Sequence, residues 1–87
     1  MMRRRKEYRG ISKRLAADYL ENLGGERVDP DGDRVEAVDW RADLDAETIE
    51  AAGSIELTEV TVAFEGEAGV LEELVEDFTR KAMRAGG

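Results

Sequence analysis

Asp29, Asp31 and Asp33 alternate along the chain, as the first three ligands of a calcium loop do. The rest of that pattern fails. Loop positions six and twelve call for Gly and Glu but hold Arg34 and Trp40, and Gly32 falls at position four. The run reads as a turn with solvated carboxylates, and no metal ligand is assigned. Glu72/Glu73 and Glu76/Asp77 are adjacent carboxylates on the polar side of an amphipathic stretch. A catalytic pair needs a cleft and a perturbed pKa, which nothing in the spacing supplies. Ser12 and Ser54 are the only serines, and with no His in the chain neither has an imidazole to activate it. The absence of Cys removes thiolate zinc sites and disulfides. Gly24-Gly25 is not a phosphate cradle, because no strand precedes it and no Lys-Ser or Lys-Thr follows. No catalytic residue, cofactor-binding residue or cofactor is assigned, and the chain is not expected to be an enzyme.

Two features remain open. The first is the basic run Arg3, Arg4, Arg5 and Lys6, a possible nucleic-acid contact through phosphates. Only Tyr8 interleaves it, and the acidic remainder of the chain repels phosphate, so nucleic acid is not the expected partner. The second is the terminal Gly86-Gly87. Sulfur carriers and ubiquitin-like modifiers present an unhindered carboxylate on such a pair. In those proteins the glycines leave a strand of a β-grasp fold; here they follow a helical pattern, and the plainer reading is a helix terminator with a short tail.

Charge shapes the whole chain. Charged residues make up 39% of it, against the usual ~25%. The net charge is −8, and ten of the thirteen bases are Arg. Residues 1–14 hold seven bases against Glu7, a local +6, which leaves −14 on residues 15–87. An acid-rich, lysine-poor chain suits concentrated salt, where a Debye length of about 3 Å at ~1 M relieves self-repulsion. A halophilic, cytoplasmic protein is expected. No apolar run approaches the ~18 residues of a membrane span. No apolar segment follows the basic start as in a secretory signal.

The elements that must carry these residues follow from periodicity. Eighty-seven residues support one core. Residues 1–10 are expected to be a flexible basic segment, 11–85 a single α+β domain and 86–87 a di-glycine tail. Ile11, Leu15, Tyr19, Leu20 and Leu23 share one face of a helix capped by Ser12 and ended by Gly24-Gly25. Pro30-Asp31-Gly32 predicts a turn between short strands at about 26–29 and 33–38. A strand containing Trp40 is expected to end near Leu44. The longest strand runs from Ile55 to Glu65, and its apolar phase changes at Thr58–Glu59, which predicts a bulge or a bend there. Leu71, Leu74, Val75, Phe78 and Ala82 form the stripe of a last helix over about 67–85. The predicted fold is a two-layer sandwich: an N-terminal helix, an antiparallel meander of three to five strands and a C-terminal helix, with both helices on one face.

Longer segments carry a resemblance. Tyr8-Arg9-Gly10-Ile11-Ser12-Lys13-Arg14-Leu15, Tyr19-Leu20-Glu21-Asn22-Leu23-Gly24-Gly25, Leu57-Thr58-Glu59-Val60-Thr61-Val62 and Lys81-Ala82-Met83-Arg84-Ala85-Gly86-Gly87 resemble small haloarchaeal proteins. Those proteins are described as the MoaD-related C-terminal domain of molybdopterin cofactor biosynthesis. The resemblance implies an association with molybdenum cofactor or sulfur-carrier pathways, where relatives join this domain to a ubiquitin-like carrier. It implies no catalytic residue. The resulting expectation is a non-catalytic interaction domain that binds a protein partner or forms a homodimer. A sheet with helices on one side leaves its other face free, and Arg41, Asp43, Glu56 and Thr61 are the residues expected to project there.

Overall fold

The computed structural model describes residues 1–86. Five strands and two helices follow in the order β1 (Met2–Arg9), α1 (Lys13–Asn22), β2 (Glu26–Arg27), β3 (Arg34–Glu36), β4 (Trp40–Ala52), β5 (Ile55–Gly66) and α2 (Ala68–Gly86). All neighbouring strands are antiparallel, in the spatial order β1-β5-β4-β3-β2. The last four strands form the predicted meander. β1 adds to its far side, against β5.

The helices lie together on one face of this α+β sandwich. Even-numbered positions of the long strands supply the floor: Ala42, Leu44, Val60, Val62 and Phe64 are all buried. Buried Ala16, Ala17 and Leu20 come from α1, and Leu71, Leu74, Phe78 and Ala82 from α2. Phe78 joins the layers, with its ring edge-on to Tyr8, Phe64 and Tyr19 at centroid distances of 4.9, 5.7 and 6.1 Å. Ser12 caps α1, its hydroxyl accepting a 3.0 Å hydrogen bond from the Leu15 amide.

The N-terminal segment departs from expectation. Residues 1–10 are not a flexible tail, because Met2–Arg9 pair with Gly66–Glu59 of β5 along the full eight residues. Only Met2 and Tyr8 give this strand an apolar rhythm, so its hydrophobic signal is too thin to read against the basic run. Cross-strand pairing and the packing of Tyr8 on Phe78 hold it instead.

The strand containing Trp40 also exceeds its predicted end. Asp45, Ala46 and Glu47 pair with Thr61, Val60 and Glu59, so β4 continues to Ala52. No bulge occurs at Thr58–Glu59, where the register is continuous; the irregularity lies near the hairpin tip, between Glu50 and Ala52. Ile55 and Leu57 simply keep the phase of the open face on a hairpin arm that runs past the end of β1. Gly53, at φ 58°, turns the arm.

Gly25 does more than help to end α1. A Cβ there would lie 2.5 Å from Val35 Cγ1 and 2.6 Å from Trp40 Cη2. The residue is the contact point between the end of α1 and the sheet.

Candidate interaction surface

Odd-numbered positions of β1, β4 and β5 face away from the helices. The register sets Arg3, Glu65 and Arg41 in one row across three strands, with Glu36 of β3 beyond them. Arg5, Ala63, Asp43 and Arg34 form the next row, Glu7, Thr61 and Asp45 the third, and Arg9, Glu59 and Glu47 the fourth. Side chains opposite one another on adjacent strands are close enough to interact, and opposite charges there are favourable.

The first row is a relay of ion pairs. One oxygen of Glu65 is ion-paired with Arg3 Nε at 3.1 Å, and the other accepts a hydrogen bond from Arg41 Nη2 at 2.6 Å. In the second row Arg34 Nε donates to Asp43 Oδ1 at 2.6 Å, and this hydrogen bond holds the Arg34 guanidinium above its ordinary pKa. In the fourth row Arg9 Nε donates to Glu59 Oε2 at 3.1 Å. Glu59 is only 7% exposed, the one buried charged residue among those described. Between these rows the small side chain of Ala63 leaves a shallow depression, rimmed by Arg5 on one side and by Asp43 and Asp45 on the other. The face is therefore polar and cross-braced, and among the described residues no helix covers it. It presents oriented charges of both signs, which suits recognition of a complementary surface.

The residues expected on this face divide. Arg41, Asp43 and Thr61 share it. Glu56 does not, because its register partner is Glu50 and its phase is that of Val60 and Val62, on the helix side. Only a phase reset at Thr58–Glu59 would bring Glu56 to the open face, and the register there is continuous. The basic run is divided in the same way. Arg3 and Arg5 lie on the open face, while Arg4 and Lys6 lie in phase with Phe64 and Val62, beside Glu72, Val75 and Glu76 of α2. The four cations thus do not form a single phosphate-binding row. Gly86 is the last residue of α2, so the di-glycine tail does not begin there, and Gly87 lies outside the described residues.

Arg9, Arg34, Glu59 and Glu65 belong to the face without having been expected there, and Arg3 and Arg5 stand in the sequence only as part of a possible nucleic-acid contact. The alternation of Thr61, Ala63 and Glu65 with buried Val60, Val62 and Phe64 was the available signal for the β5 members. The β1 members had none, since that strand was not legible.

The Asp29–Asp33 turn is committed to structure. Gly32 has the left-handed φ of 74° that the turn requires. Asp29 Oδ1 accepts from the Asp33 amide at 2.9 Å, and the Asp33 carboxylate is ion-paired with Lys13. The hydrogen bond that Lys13 Nζ donates to Asp33 Oδ1 raises the Lys13 pKa from its ordinary value, against a smaller opposing cost of desolvation.

Comparison with known families settles the kinship. The family described as archaeal MoaD-like protein matches residues 4–87. The chain belongs to that family. The match extends over β1 from Arg4, so the strand is part of the MoaD-like unit. No curated protein matches the chain. Among the described residues of this MoaD-like chain, no helix is long and apolar enough to cross a membrane.

Proposed function

We propose that this MoaD-like chain is a non-catalytic interaction domain working in molybdopterin or sulfur-carrier metabolism, and that it meets its protein partner through the open face of the sheet. Family membership supports the pathway. The observation that carries the mode of action is the uncovered charge lattice, in which Glu65 bridges Arg3 and Arg41 across three strands. Such a lattice holds its side chains in place before a partner arrives, which reduces the ordering cost of binding. The lack of His and Cys, and carboxylates tied into ion pairs, fit a surface better than an active site.

The test is affinity capture from the native host at its own ionic strength. Wild-type chain is compared with the double reversal Arg41→Glu/Asp43→Arg. Recovery of molybdopterin synthase or an activating enzyme by the wild type, and its loss with the reversal, is expected. Equal recovery by both removes the open face from the proposal. Recovery of neither protein by the wild type removes the pathway.

A second reading keeps the Gly86-Gly87 terminus as the reactive group of a sulfur carrier or modifier. Its support is that the MoaD-like match covers residues 4–87 and so includes this glycine pair. Incubation with the cognate activating enzyme and ATP, followed by intact mass measurement, tests it. An adduct or thiocarboxylate, lost when both glycines are deleted, supports the carrier; an unchanged mass counts against it.

A further inference from the structure

β1 ends the sheet on one side, so among the described residues one edge of its eight-residue backbone has no strand beside it. The opposite edge is β2, only two residues long and tied down by Arg27, which is ion-paired with Asp18 and Glu21 of α1. β1 is therefore the long edge of the body. An open edge is a row of amides and carbonyls ready to pair with another chain. β1 contains no proline, and its register against β5 has no bulge, so nothing in its backbone obstructs a neighbour.

Its side chains select among neighbours. Arg3 and Arg9 are engaged by Glu65 and Glu59, but Arg4, Arg5 and Lys6 form no ion pair among the described residues. Residues Arg3 to Glu7 are all exposed. On the open face, Arg5 is the free cation beside the edge. On the helix side, Arg4 and Lys6 flank a cleft that also includes half-buried Val75, with Glu72 and Glu76 along its far wall. An acidic side chain entering that cleft meets both signs of charge, whereas an aliphatic one meets Val75 and the stems of Arg4 and Lys6. A strand laid along β1 presents its residues alternately to the two faces. The complementary segment is extended, with acids on alternate positions facing Arg5 and aliphatics between them facing Val75.

We propose that the free edge of β1 takes up such an acidic, alternating segment of a partner protein as a sixth strand. A second copy of this chain is a poorer occupant. Two β1 strands would oppose five bases with five bases. The acidic distal part of β4 lies on the opposite side of the sheet from β1, so pairing it with β1 of another copy is head-to-tail and propagates without closing. Main-chain hydrogen bonds supply affinity in this mode, and the alternating side chains supply specificity. The inference rests on the interaction-domain reading but uses neither its open face nor its pathway.

The test uses the full chain and a capped eight-residue alternating Glu-Val peptide. Binding is read by amide shifts and hydrogen exchange. Three comparison probes are the same peptide N-methylated at alternate residues, a Lys-Val peptide and a single-stranded oligonucleotide. The expected result is shifts centred on β1, with slower exchange of its outward amides on peptide addition. N-methylation or the triple reversal Arg4→Glu/Arg5→Glu/Lys6→Glu should weaken binding at least about tenfold, and the Lys-Val peptide should not bind. Equal binding of the N-methylated peptide overturns strand addition on the wild-type chain, whatever the stability of the reversal variant. Tighter binding of the oligonucleotide assigns the cations to nucleic acid and overturns the proposal. Mass growth by light scattering without peptide, lost in Arg5→Glu, assigns the edge to a second copy and also overturns it. Absence of any peptide binding overturns the edge site alone; capture of a pathway protein is a separate readout.

Discussion

Tyr8 Oη and Thr79 Oγ1 lie 2.8 Å apart, joining the first strand to the last helix across 71 residues of sequence. Burial raises the Tyr8 pKa above its ordinary value of 10.0, over a smaller opposing contribution from the Thr79 hydrogen bond. The neutral phenol thus belongs to the folded state. Its contribution is complete below about pH 10 and is lost as pH rises through the higher folded value, because the unfolded chain releases that proton first. Tyr8→Phe should flatten this alkaline loss. Lys13, also raised, leaves a residual decline of the same sign. At neutral pH the substitution should cost about 0.5–1.5 kcal/mol, the value of one hydrogen bond, since the ring contact with Phe78 survives. Denaturant titrations of both proteins from pH 7 to 11 check this. Parallel curves would disconnect Tyr8 from the alkaline loss.

Glu59 and Glu65 make a controlled comparison. Glu65 has two arginine partners, so Arg3→Ala leaves it held by Arg41. Glu59 has Arg9 as its one ion-pair partner among the described residues, and Glu47 stands directly opposite. Arg9→Ala therefore leaves a buried carboxylate beside a like charge, at a cost of about 1–3 kcal/mol. Arg3→Ala should stay near experimental error, as most exposed ion pairs do. Chemical denaturation ranks the pair. Equal costs would mean that water already satisfies Glu59.

Gly24 and Gly25 separate two reasons for glycine at one helix end. Gly24 has φ 107° with open space around its Cα, so Gly24→Ala costs backbone strain alone. Gly25→Ala instead drives a methyl into Val35 and Trp40, and the expected cost is about 1–3 kcal/mol of overpacking. Trp40 is the only tryptophan, so its fluorescence reports the second site directly. Its emission should shift in Gly25→Ala and stay fixed in Gly24→Ala. An unmoved spectrum in both would show that α1 shifts away without disturbing the sheet.

Legibility followed the density of apolar residues. α2 could be read because Leu71, Leu74, Phe78 and Ala82 repeat at helical spacing and are all buried. The cap at Ser12 and the turn at Gly32 were legible because each places a specific side chain or φ angle at one position. β1 was hidden, since Arg4 and Lys6 occupy the inward phase at the sheet edge, where charged stems lie beside α2 instead of under it. Ile55 and Leu57 are apolar but not core residues, so their phase predicts a bulge that the continuous register lacks and places Glu56 on the wrong face. They lie on the open face of the arm, Ile55 at 59% exposure. The open-face partnership of Arg41, Asp43 and Thr61 was readable by period-two alternation alone, whereas their ion-pair partners depend on long-range register.

Salt tests the balance between these ion pairs and the net charge. The lattice pairs span 2.6–3.1 Å, while the repulsion among the acids of residues 15–87 acts across a molecule with a longest extent of 42 Å. Raising ionic strength from about 0.1 M to about 1 M shortens the Debye length from roughly 10 Å to roughly 3 Å. That change removes long-range repulsion almost entirely but weakens contacts at hydrogen-bond distance much less. Ordering of β1 adds to the contrast, because its bases already neutralise Glu59 and Glu65 locally and leave the more distant acids unopposed. The melting temperature should therefore rise between about 0.1 M and about 2 M KCl. Charge reversal at Glu72, an exposed α2 residue beside Arg4 and Lys6, should change the slope little. Reversing Glu50 and Glu56 together, on the hairpin arm past the end of β1, should flatten it. Equal midpoints at both salt concentrations would show that the local pairs, not the distributed acids, set the electrostatic stability of this domain.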